Sequence, residues 1–383
     1  MGPADPMEYK LFNNILELVK ACPTEKALKD FLAYKRWKGK PKCIYCGHDN
    51  VWVIKAIPGR YECPRCKKDE AAKNHTFSVL QGTIFEGTHL SLETWFWDMF
   101  ELCLGSNSSN SNAERFTIST KTSWRTDALL RHVVKGEEER ILTATEVEID
   151  EVELAAEPWK DVQRYAAKKS GRKTYEDKIK AFGIRERGNP QKASKRNGTP
   201  AIPGGYAVII VIDDRNKETL IPILKKHVPN LETIVFHDGA PAYDKLNECY
   251  PNRQRLNKSD YERYQWQKHC RWIDKETGEE ASWEDIRNDE KDIMMLTVNG
   301  IESCWMHLTL HFYTHFGFSR KHAQAYVNEY LFRFNRRHLT VAEKFEELLQ
   351  LCLKTPVPHD LHKYELKGPK GKTKRRVAKK KKD

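Results

Sequence analysis

The 383-residue sequence has no long hydrophobic run. Its longest uninterrupted apolar stretch, from Tyr206 to Ile212, is far shorter than the roughly 20 residues that a membrane-spanning helix needs. The N-terminal region also lacks a basic segment followed by an apolar run, so we expect no secretory signal. Hydrophobic residues make up 39% of the chain, which is enough to build packed cores. The usual domain sizes predict two or three domains.

The ten cysteines lack the arrangement expected of a secreted, disulfide-bonded protein. Four of them form two Cys-x-x-Cys pairs, Cys43 with Cys46 and Cys63 with Cys66, while the other six are scattered. Each pair can place two thiolates in a tight turn, and two such turns complete a tetrahedral site that suits zinc. The spacing therefore predicts a zinc ribbon at residues 41–78, holding a structural Zn²⁺ in a protein from a reducing compartment.

Acidic residues are scarce at the C-terminal end of the chain. Residues 364–383 contain ten Lys or Arg against two acids, so they carry +8 of the net charge of +12. Such a segment is too charged to fold alone, and we expect a disordered tail. Its cluster at Lys374, Arg375 and Arg376 predicts either a nonspecific DNA-binding arm or a nuclear-localisation signal, with a solubilising tail as the alternative. We expect a nuclear location in a eukaryotic host and a cytoplasmic or nucleoid location otherwise.

Hydrophobic periodicity divides the remaining chain into helical and mixed regions. Helical periodicity predicts an N-terminal helical segment at residues 7–40, in which Thr24 caps the second helix, and a C-terminal helix at 341–363. The apolar pattern of residues 145–340 predicts an α/β domain. Its expected strands include Lys178–Ile184, Tyr206–Ile212 and Thr233–Phe236, with a crossover helix at Thr219–Val228.

A second helical segment, at residues 88–136, is predicted to resemble a helix-turn-helix. Leu92–Leu104 and Ser119–Val134 are its expected helices, and the Gly/Ser/Asn run at residues 105–112 predicts a turn or flexible linker between them. The second helix offers Lys121, Arg125 and Arg131 to DNA, as a recognition helix would. A plain helical linker domain is the alternative, because this pattern is common.

Three carboxylates are candidates for a catalytic metal site. Asp150 is expected to close the strand Glu146–Asp150, Asp238 follows the apolar strand Thr233–Phe236, and Glu302 lies at the start of a predicted helix. Carboxylates from two strands and a helix can hold two Mg²⁺ ions, which prefer oxygen ligands and share them with phosphate. Spacing alone is a weak signal in a chain with 54 acidic residues.

Two structural alternatives compete with this assignment. Asn299 and Glu302 have the spacing of a capping box, in which Glu302 bonds back to the start of the helix. Asp213 and Asp214 also end a strand and compete with Asp238 for the second carboxylate position.

Several motifs in order resemble the ISXO-like insertion-sequence transposases, whose eukaryotic relatives form the Merlin superfamily. The matching segments run from about residue 28 to 340 and are Phe31–Trp37, Gly82–Glu86, Val147–Glu151, Phe236–Gly239 with Tyr243, Val298–Ser303 with Trp305, and His322 to Arg337. The family usually has Lys seven residues after the catalytic Glu, where this chain has Thr309. That Lys would contact DNA near the cut, and His307, His311 or Lys321 are candidates to replace it.

The resemblance implies an α/β, ribonuclease H-like catalytic core, a mixed sheet with flanking helices, at residues 145–340. It implies that Asp150, Asp238 and Glu302 bind two Mg²⁺ ions, with Mn²⁺ as a substitute. The implied activity is cleavage at the terminal inverted repeats of a mobile element and joining of the 3′-hydroxyls to target DNA, by a homodimer or larger assembly.

Residues 251–292 are a candidate insertion into this core. With Trp266, Trp272 and Trp283, the segment suits DNA or dimer contacts, or core packing. The main alternative function is a transposase-derived DNA-binding protein without catalysis, which Thr309 favours and the three retained carboxylates oppose. A nuclease that cuts without joining would share the metal site.

Removal of all residues after Gly368 should weaken DNA binding by a similar factor on every sequence. Every phosphate that the tail no longer neutralises should flatten the slope of log affinity against log salt by about 0.9. Fluorescence anisotropy over a salt series, on an element-end duplex and on an unrelated duplex, measures both effects. A weakening confined to the element end would contradict the electrostatic interpretation.

Overall fold

The computed structural model describes residues 11–105, 108–155, 178–187, 205–256, 271–279, 281–282, 293–315, 318 and 320–358. These residues form two compact units. One contains Leu32–His89 and the chain from Cys352 onward, and the other contains the chain up to Phe31 together with Leu90–Leu351. Within the described ranges, no helix is both long enough and apolar enough to cross a membrane.

The chain begins with two helices, α1 (Ile15–Ala21) and α2 (Glu25–Trp37). The Asn14 side chain accepts a hydrogen bond from the Glu17 amide at 3.0 Å and so caps α1. The Thr24 hydroxyl accepts one from the Ala27 amide at 3.1 Å, which satisfies a free amide of the first turn of α2. The predicted Thr24 cap is confirmed.

The cysteine-rich segment forms a small antiparallel sheet. Its elements are β1 (Trp52–Val53), β2 (Arg60–Glu62), the short helix α3 (Pro64–Lys68) and β3 (Thr76–Ser78), with β2 in the centre of the sheet. The aromatic rings of Tyr61 and Phe77 stack with their centroids 5.5 Å apart, and Trp37 meets Tyr61 edge-on at 5.2 Å. Because so small a sheet has little apolar area, these rings supply most of its core.

The second helical segment contains three helices, α4 (Leu92–Leu104), α5 (Ser109–Phe116) and α6 (Thr120–Val133). The prediction of a turn or linker at residues 105–112 is wrong from Ser109 onward. Ser108 caps α5 by accepting a hydrogen bond from the Ser111 amide at 3.2 Å, so the serines begin a helix rather than extend a loop. The buried Asn112 amide donates to Asp98 at 3.0 Å and to Asp127 at 3.3 Å, which joins the three helices.

A five-stranded mixed sheet forms the centre of the larger unit. Its strands are β4 (Glu146–Ala155), β5 (Lys178–Glu186), β6 (Ala207–Ile212), β7 (Ile234–His237) and β8 (Gln254–Arg255), in the spatial order β6-β5-β4-β7-β8. Strands β4, β5 and β6 are antiparallel neighbours, whereas β7 runs parallel to β4 and β8 parallel to β7. The helix α7 (Lys217–His227) connects β6 to β7. The three predicted strands and the crossover helix are confirmed, with shifts of a few residues at their ends.

The end of the described chain is helical again. A hairpin of β9 (Arg271–Asp274) and β10 (Ile293–Leu296) precedes α8 (Asn299–Thr314), α9 (Ala323–Asn335) and α10 (Val341–Lys354). Four short 3-10 helices lie between described elements, at Lys135–Glu139, Pro241–Tyr243, Leu246–Glu248 and Arg320–His322. Most of the candidate insertion, including Trp266 and Trp283 and the side chain of Trp272, lies outside the described residues.

Both faces of the mixed sheet are covered. On one face, Ile179 and Ala181 of β5 pack in a cluster with Ile301, Trp305 and other residues of α8 and α9. On the other face, Phe182 and Ile184 of the same strand pack in a second cluster that includes residues of α7. Alternate side chains of a strand point to opposite faces, and both faces of β5 are buried. The central residues of β5 are therefore nearly all apolar.

A buried ion pair joins α6 to α9. The Arg131 Nε donates to Glu329 Oε2 at 2.7 Å, and both side chains are buried, with exposed fractions of 4% and 5%. Burial by itself raises the pKa of Glu329, but the charge of Arg131 and its other neighbours holds that pKa well below its usual value. Arg131 therefore has an internal partner, and the expectation that it contacts DNA is corrected.

Substitution of Arg131 by Met should lower the free energy of unfolding by about 3–5 kcal/mol, because it leaves the Glu329 carboxylate buried without its main partner. Urea unfolding followed by circular dichroism measures the change. Lys226→Met is the matched control, since Lys226 forms an ion pair with Glu139 at the surface, where such pairs contribute little. An Arg131→Met protein as stable as the control would show that Glu329 does not depend on this partner.

Candidate metal centres

The four paired cysteines meet at one point of the small sheet. The sulfur of Cys43 lies 3.8 Å from that of Cys66, and the sulfur of Cys46 lies 3.7 Å from that of Cys63. Sulfur atoms about 2.3 Å from a tetrahedral zinc ion lie about 3.8 Å apart, so the spacing fits zinc. A hydrogen bond from the His48 backbone amide lowers the pKa of Cys46 to about 7, whereas burial raises the pKa of Cys43 and of Cys66. A bound cation would offset that burial and hold the thiols as thiolates.

A second group of ligand atoms lies at the edge of the mixed sheet. Carboxylate oxygens of Asp150, Glu151 and Asp238 all lie within 4.8 Å of one another, and all three side chains are half-buried. Asp238 follows the last residue of β7, while Asp150 and Glu151 lie on β4 just beyond its pairing with β7, which ends at Glu148. Because β7 is short and runs parallel to β4, the residue that follows it, Asp238, lies beside Asp150 and Glu151.

The turn after β7 fixes Asp238. The Asp238 Oδ1 accepts a hydrogen bond from the Ala240 amide at 3.0 Å. Gly239 between them has a φ of +82°, a value that favours glycine, and a Cβ at this position would come within 2.6 Å of the Arg255 Nε. Glycine is therefore required for the turn that directs Asp238 toward β4.

Helix α8 fixes Asp150 from the other side. The indole Nε1 of Trp305 donates to Asp150 Oδ2 at 2.7 Å. Asp150 pairs with Gly183 across the β4–β5 ladder, and a Cβ on Gly183 would overlap the Trp305 ring. The absence of a side chain at Gly183 thus lets the indole lie against the sheet and reach the carboxylate.

The carboxylate group lines an open cleft of about 560 Å³. Burial raises the pKa of Asp150 to about 7, with an added contribution from the negative charge of Asp238, although the Trp305 hydrogen bond lowers it. Arg215 and Lys217 lie on the wall of the same cleft. Glu218 lines the cleft as well, so four acids and two basic side chains surround it. A group of three close acids with basic side chains on the same cleft suits a divalent cation together with a phosphate group.

The predicted carboxylates do not all meet. Asp150 and Asp238 lie in the group, whereas Glu302 is exposed in the first turn of α8 and is not among the three acids. Sequence reasoning missed Glu151 as a member, although it stands next to Asp150. The pattern carried a signal for it, an acid directly after Asp150, but neighbouring residues of a strand normally point to opposite faces.

Among the described residues, the structure shows neither of the two structural alternatives, the capping box of Asn299 and Glu302 or a second carboxylate at Asp213 or Asp214. Asn299 is the first residue of α8 rather than the residue before it, so it is not the N-cap of a capping box. Glu148 accepts a hydrogen bond from the Ile301 amide at 2.8 Å and satisfies the start of the helix. Asp214 accepts hydrogen bonds from Asn216 and Thr219 at the start of α7, and Asp213 is exposed and pairs with Arg320, so neither joins the group.

The predicted DNA contacts have different positions. Lys121 is exposed at the start of α6, Arg125 is half-buried, and Arg131 is internal. Lys374, Arg375 and Arg376 lie outside the described residues.

The candidate replacements for the missing Lys differ as well. Thr309 donates its hydroxyl to the Trp305 carbonyl at 2.7 Å, within its own helix. His311 is buried, with one ring nitrogen against the Tyr326 carbonyl and the other against Arg333, which corrects the expectation that it replaces the Lys. His307 and Lys321 are exposed, so both stay candidates.

Comparison with known proteins places this geometry in a family. The profile of the ISXO2-like transposase domain matches residues 142–335, more than half of the chain. The chain belongs to this transposase family. The profile of a transposase zinc-ribbon domain matches residues 23–69 of the chain, which include all four paired cysteines. The family resemblance and the zinc ribbon predicted from the sequence are confirmed.

A relative supports the same conclusion. The chain is 27% identical over 240 residues to an uncharacterised protein in transposable element ISH50 of Halobacterium salinarum, and the match covers 60% of the chain and 72% of the relative. No solved structure matches the chain significantly.

The purified transposase should contain about one zinc ion per chain, and Cys43→Ser should lose it, because three thiolates hold the ion less tightly than four. Inductively coupled plasma mass spectrometry after dialysis measures the content. Cys249→Ser, which changes a cysteine outside the ribbon, should keep its zinc. A wild-type protein without zinc would contradict the ribbon assignment.

Proposed function

We propose that the protein binds the terminal inverted repeats of its element, cleaves the element ends and joins their 3′-hydroxyls to target DNA. The observation that carries this proposal is the meeting of Asp150 and Asp238, 88 residues apart in sequence, in an open cleft with basic side chains on its wall. Such a cleft accepts a phosphodiester together with divalent cations.

Asp150 and Asp238 are the residues that would hold Mg²⁺. Their donor atoms are carboxylate oxygens, which Mg²⁺ prefers. Burial and the charge of Asp238 both raise the pKa of Asp150, and a bound cation would offset both effects. Bound Mg²⁺ or Mn²⁺ supplies an activated water or hydroxyl nucleophile and neutralises charge on the phosphate during in-line displacement. Trp305 keeps the Asp150 carboxylate in one orientation through its hydrogen bond.

Glu302 is the third proposed carboxylate. It precedes Trp305 by three residues on α8, and residues so spaced lie on neighbouring positions of one helix face. Because Trp305 contacts Asp150, this face of the helix runs past the carboxylate group. The position suits a ligand that joins the site when metal and DNA bind.

The remaining elements suit DNA binding. The short loop between α5 and α6 supports a helix-turn-helix interpretation, in which the exposed Lys121 and the half-buried Arg125 contact DNA. The mixed sheet with helices on both faces supports a ribonuclease H-like core. The basic tail would add nonspecific phosphate contacts, and the pairing of two element ends requires a homodimer or larger assembly.

A DNA-binding protein without catalysis is the second candidate, favoured by Thr309 at the usual Lys position. The carboxylate group argues against it. Burial and the charge of Asp238 raise the pKa of Asp150, which means that the ionised acid is destabilised at this position. A protein that only bound DNA would gain nothing from this arrangement.

Asp150→Ala, Asp238→Ala and Glu302→Ala should each abolish cleavage of a labelled element-end duplex in Mg²⁺ or Mn²⁺ while leaving its binding intact. The acids carry the metal chemistry, whereas DNA affinity comes from other surfaces. Gel analysis of cleavage and anisotropy of binding measure the two properties. Asp213→Ala is the matched control, because Asp213 also follows a strand but is exposed and outside the group, and it should cleave normally.

A fully active variant would remove that residue from the triad. Binding by the wild-type protein without cleavage in either metal would favour the noncatalytic alternative. Cleavage without joining to a supercoiled target would indicate a nuclease.

A further inference from the structure

The acid next to Asp150 has an unusual position for a strand residue. Neighbouring side chains of a regular strand point to opposite faces, yet oxygens of Asp150 and Glu151 lie within 4.8 Å of each other and of Asp238. Strand β7 pairs with β4 only from Glu146 to Glu148, so among the described strands the β7 side of β4 is open beyond that point. The longer Glu151 side chain can reach round this open edge.

The distance within the group suits a shared cation. Oxygens bound to one Mg²⁺ at about 2.1 Å lie at most about 4.2 Å apart, so the observed limit of 4.8 Å needs only a small contraction. Three negative oxygens this close repel one another, and a divalent ion is the ligand that removes the repulsion.

A buried hydroxyl points to the same ligand. The Tyr243 side chain is fully buried, and its hydroxyl does not reach full hydrogen-bond geometry with any residue in the described part of the chain. Its polar neighbour is Glu151: burial, the charge of Glu151 and a hydrogen-bonding interaction with that carboxylate raise the pKa of Tyr243, followed by the charges of Asp150 and Asp238. A small movement of the Glu151 carboxylate would bring this interaction to full hydrogen-bond geometry and fix the orientation of the carboxylate.

We propose that Glu151 is a further carboxylate ligand of the catalytic metal and that Tyr243 is its positioning residue. The proposal rests on the metal site of the proposed function and adds two residues to it. It assigns the divalent cation to the strand acids Asp150, Glu151 and Asp238, with Glu302 joining from α8.

Mn²⁺ binding to the full-length, zinc-loaded protein tests the assignment without DNA. Electron paramagnetic resonance measures free Mn²⁺ during a titration. We expect Glu151→Gln to weaken the affinity by about tenfold or more, because ligand charge sets cation affinity. Glu151→Asp should weaken it too, since the shorter side chain does not reach round the strand edge. Tyr243→Phe should weaken the affinity by about tenfold, with the melting temperature of the metal-free protein unchanged.

Glu218→Gln is the matched control. Glu218 lines the same cleft but is exposed, pairs with Lys217 and is not in the group, so its variant should bind Mn²⁺ as wild type does. A Glu151→Gln protein with wild-type Mn²⁺ affinity would overturn the proposal, and so would an equal weakening in the Glu151→Gln and Glu218→Gln variants.

The outcomes separate this proposal from the proposed function. Wild-type protein that cleaves element ends, with a Glu151→Gln variant that binds Mn²⁺ normally, would remove Glu151 and leave the transposase reaction standing. Wild-type protein that binds Mn²⁺ through Glu151 but cuts no DNA would keep Glu151 as a metal ligand and remove the proposed cleavage reaction. Wild-type protein that binds no Mn²⁺ would overturn the assignment of Glu151, and only if it also cuts no element ends would the proposed function fall with it.

Discussion

The close approach of α8 to the mixed sheet is the constraint on which the candidate active site depends. Two glycines permit it. A Cβ on Gly183 would overlap Trp305 and Ile301, and a Cβ on Gly300 would overlap the Glu148 carboxylate. With hydrogen atoms in their place, Trp305 reaches Asp150 and the start of the helix donates to Glu148. The orientation of the Asp150 carboxylate is thus set by packing between a helix and two strands.

This contact also affects the electrostatics of the site. Burial, more than the charge of Asp238, raises the pKa of Asp150, whereas the hydrogen bond from Trp305 lowers it. The carboxylate group lines an open cleft. A rigid, partly desolvated carboxylate beside an open cleft suits a cation that exchanges water for phosphate oxygens, which is the chemistry of phosphoryl transfer. The same helix carries Glu302, the third proposed carboxylate.

Much of this arrangement was predictable from the sequence. Apolar runs identified β5, β6 and β7, and the doubled cysteine spacing identified the ribbon. Asp150 and Asp238 were selected by the family resemblance of their segments, and the prediction that Asp150 ends its strand is wrong, because β4 continues to Ala155. The failures share one cause, which is that local rules omit distant partners. Ser and Asn residues suggested a linker where Asn112 bonds to Asp98 and Asp127 within a helix. Arg131 looked like a DNA contact because its partner, Glu329, lies 198 residues away. Glu151 was missed since strand alternation does not account for an open edge.

The location of the catalytic cation is the most direct test of this account. Crystals of the full-length protein soaked in Mn²⁺ and measured at the manganese absorption edge, where zinc contributes little, would give that location. We expect an anomalous peak between Asp150 and Asp238, within about 2.2 Å of a carboxylate oxygen of each, and separate from the four-cysteine site. Manganese bound elsewhere, with Asp150 and Asp238 left without it, would contradict the assignment of this cleft as the site of DNA cleavage.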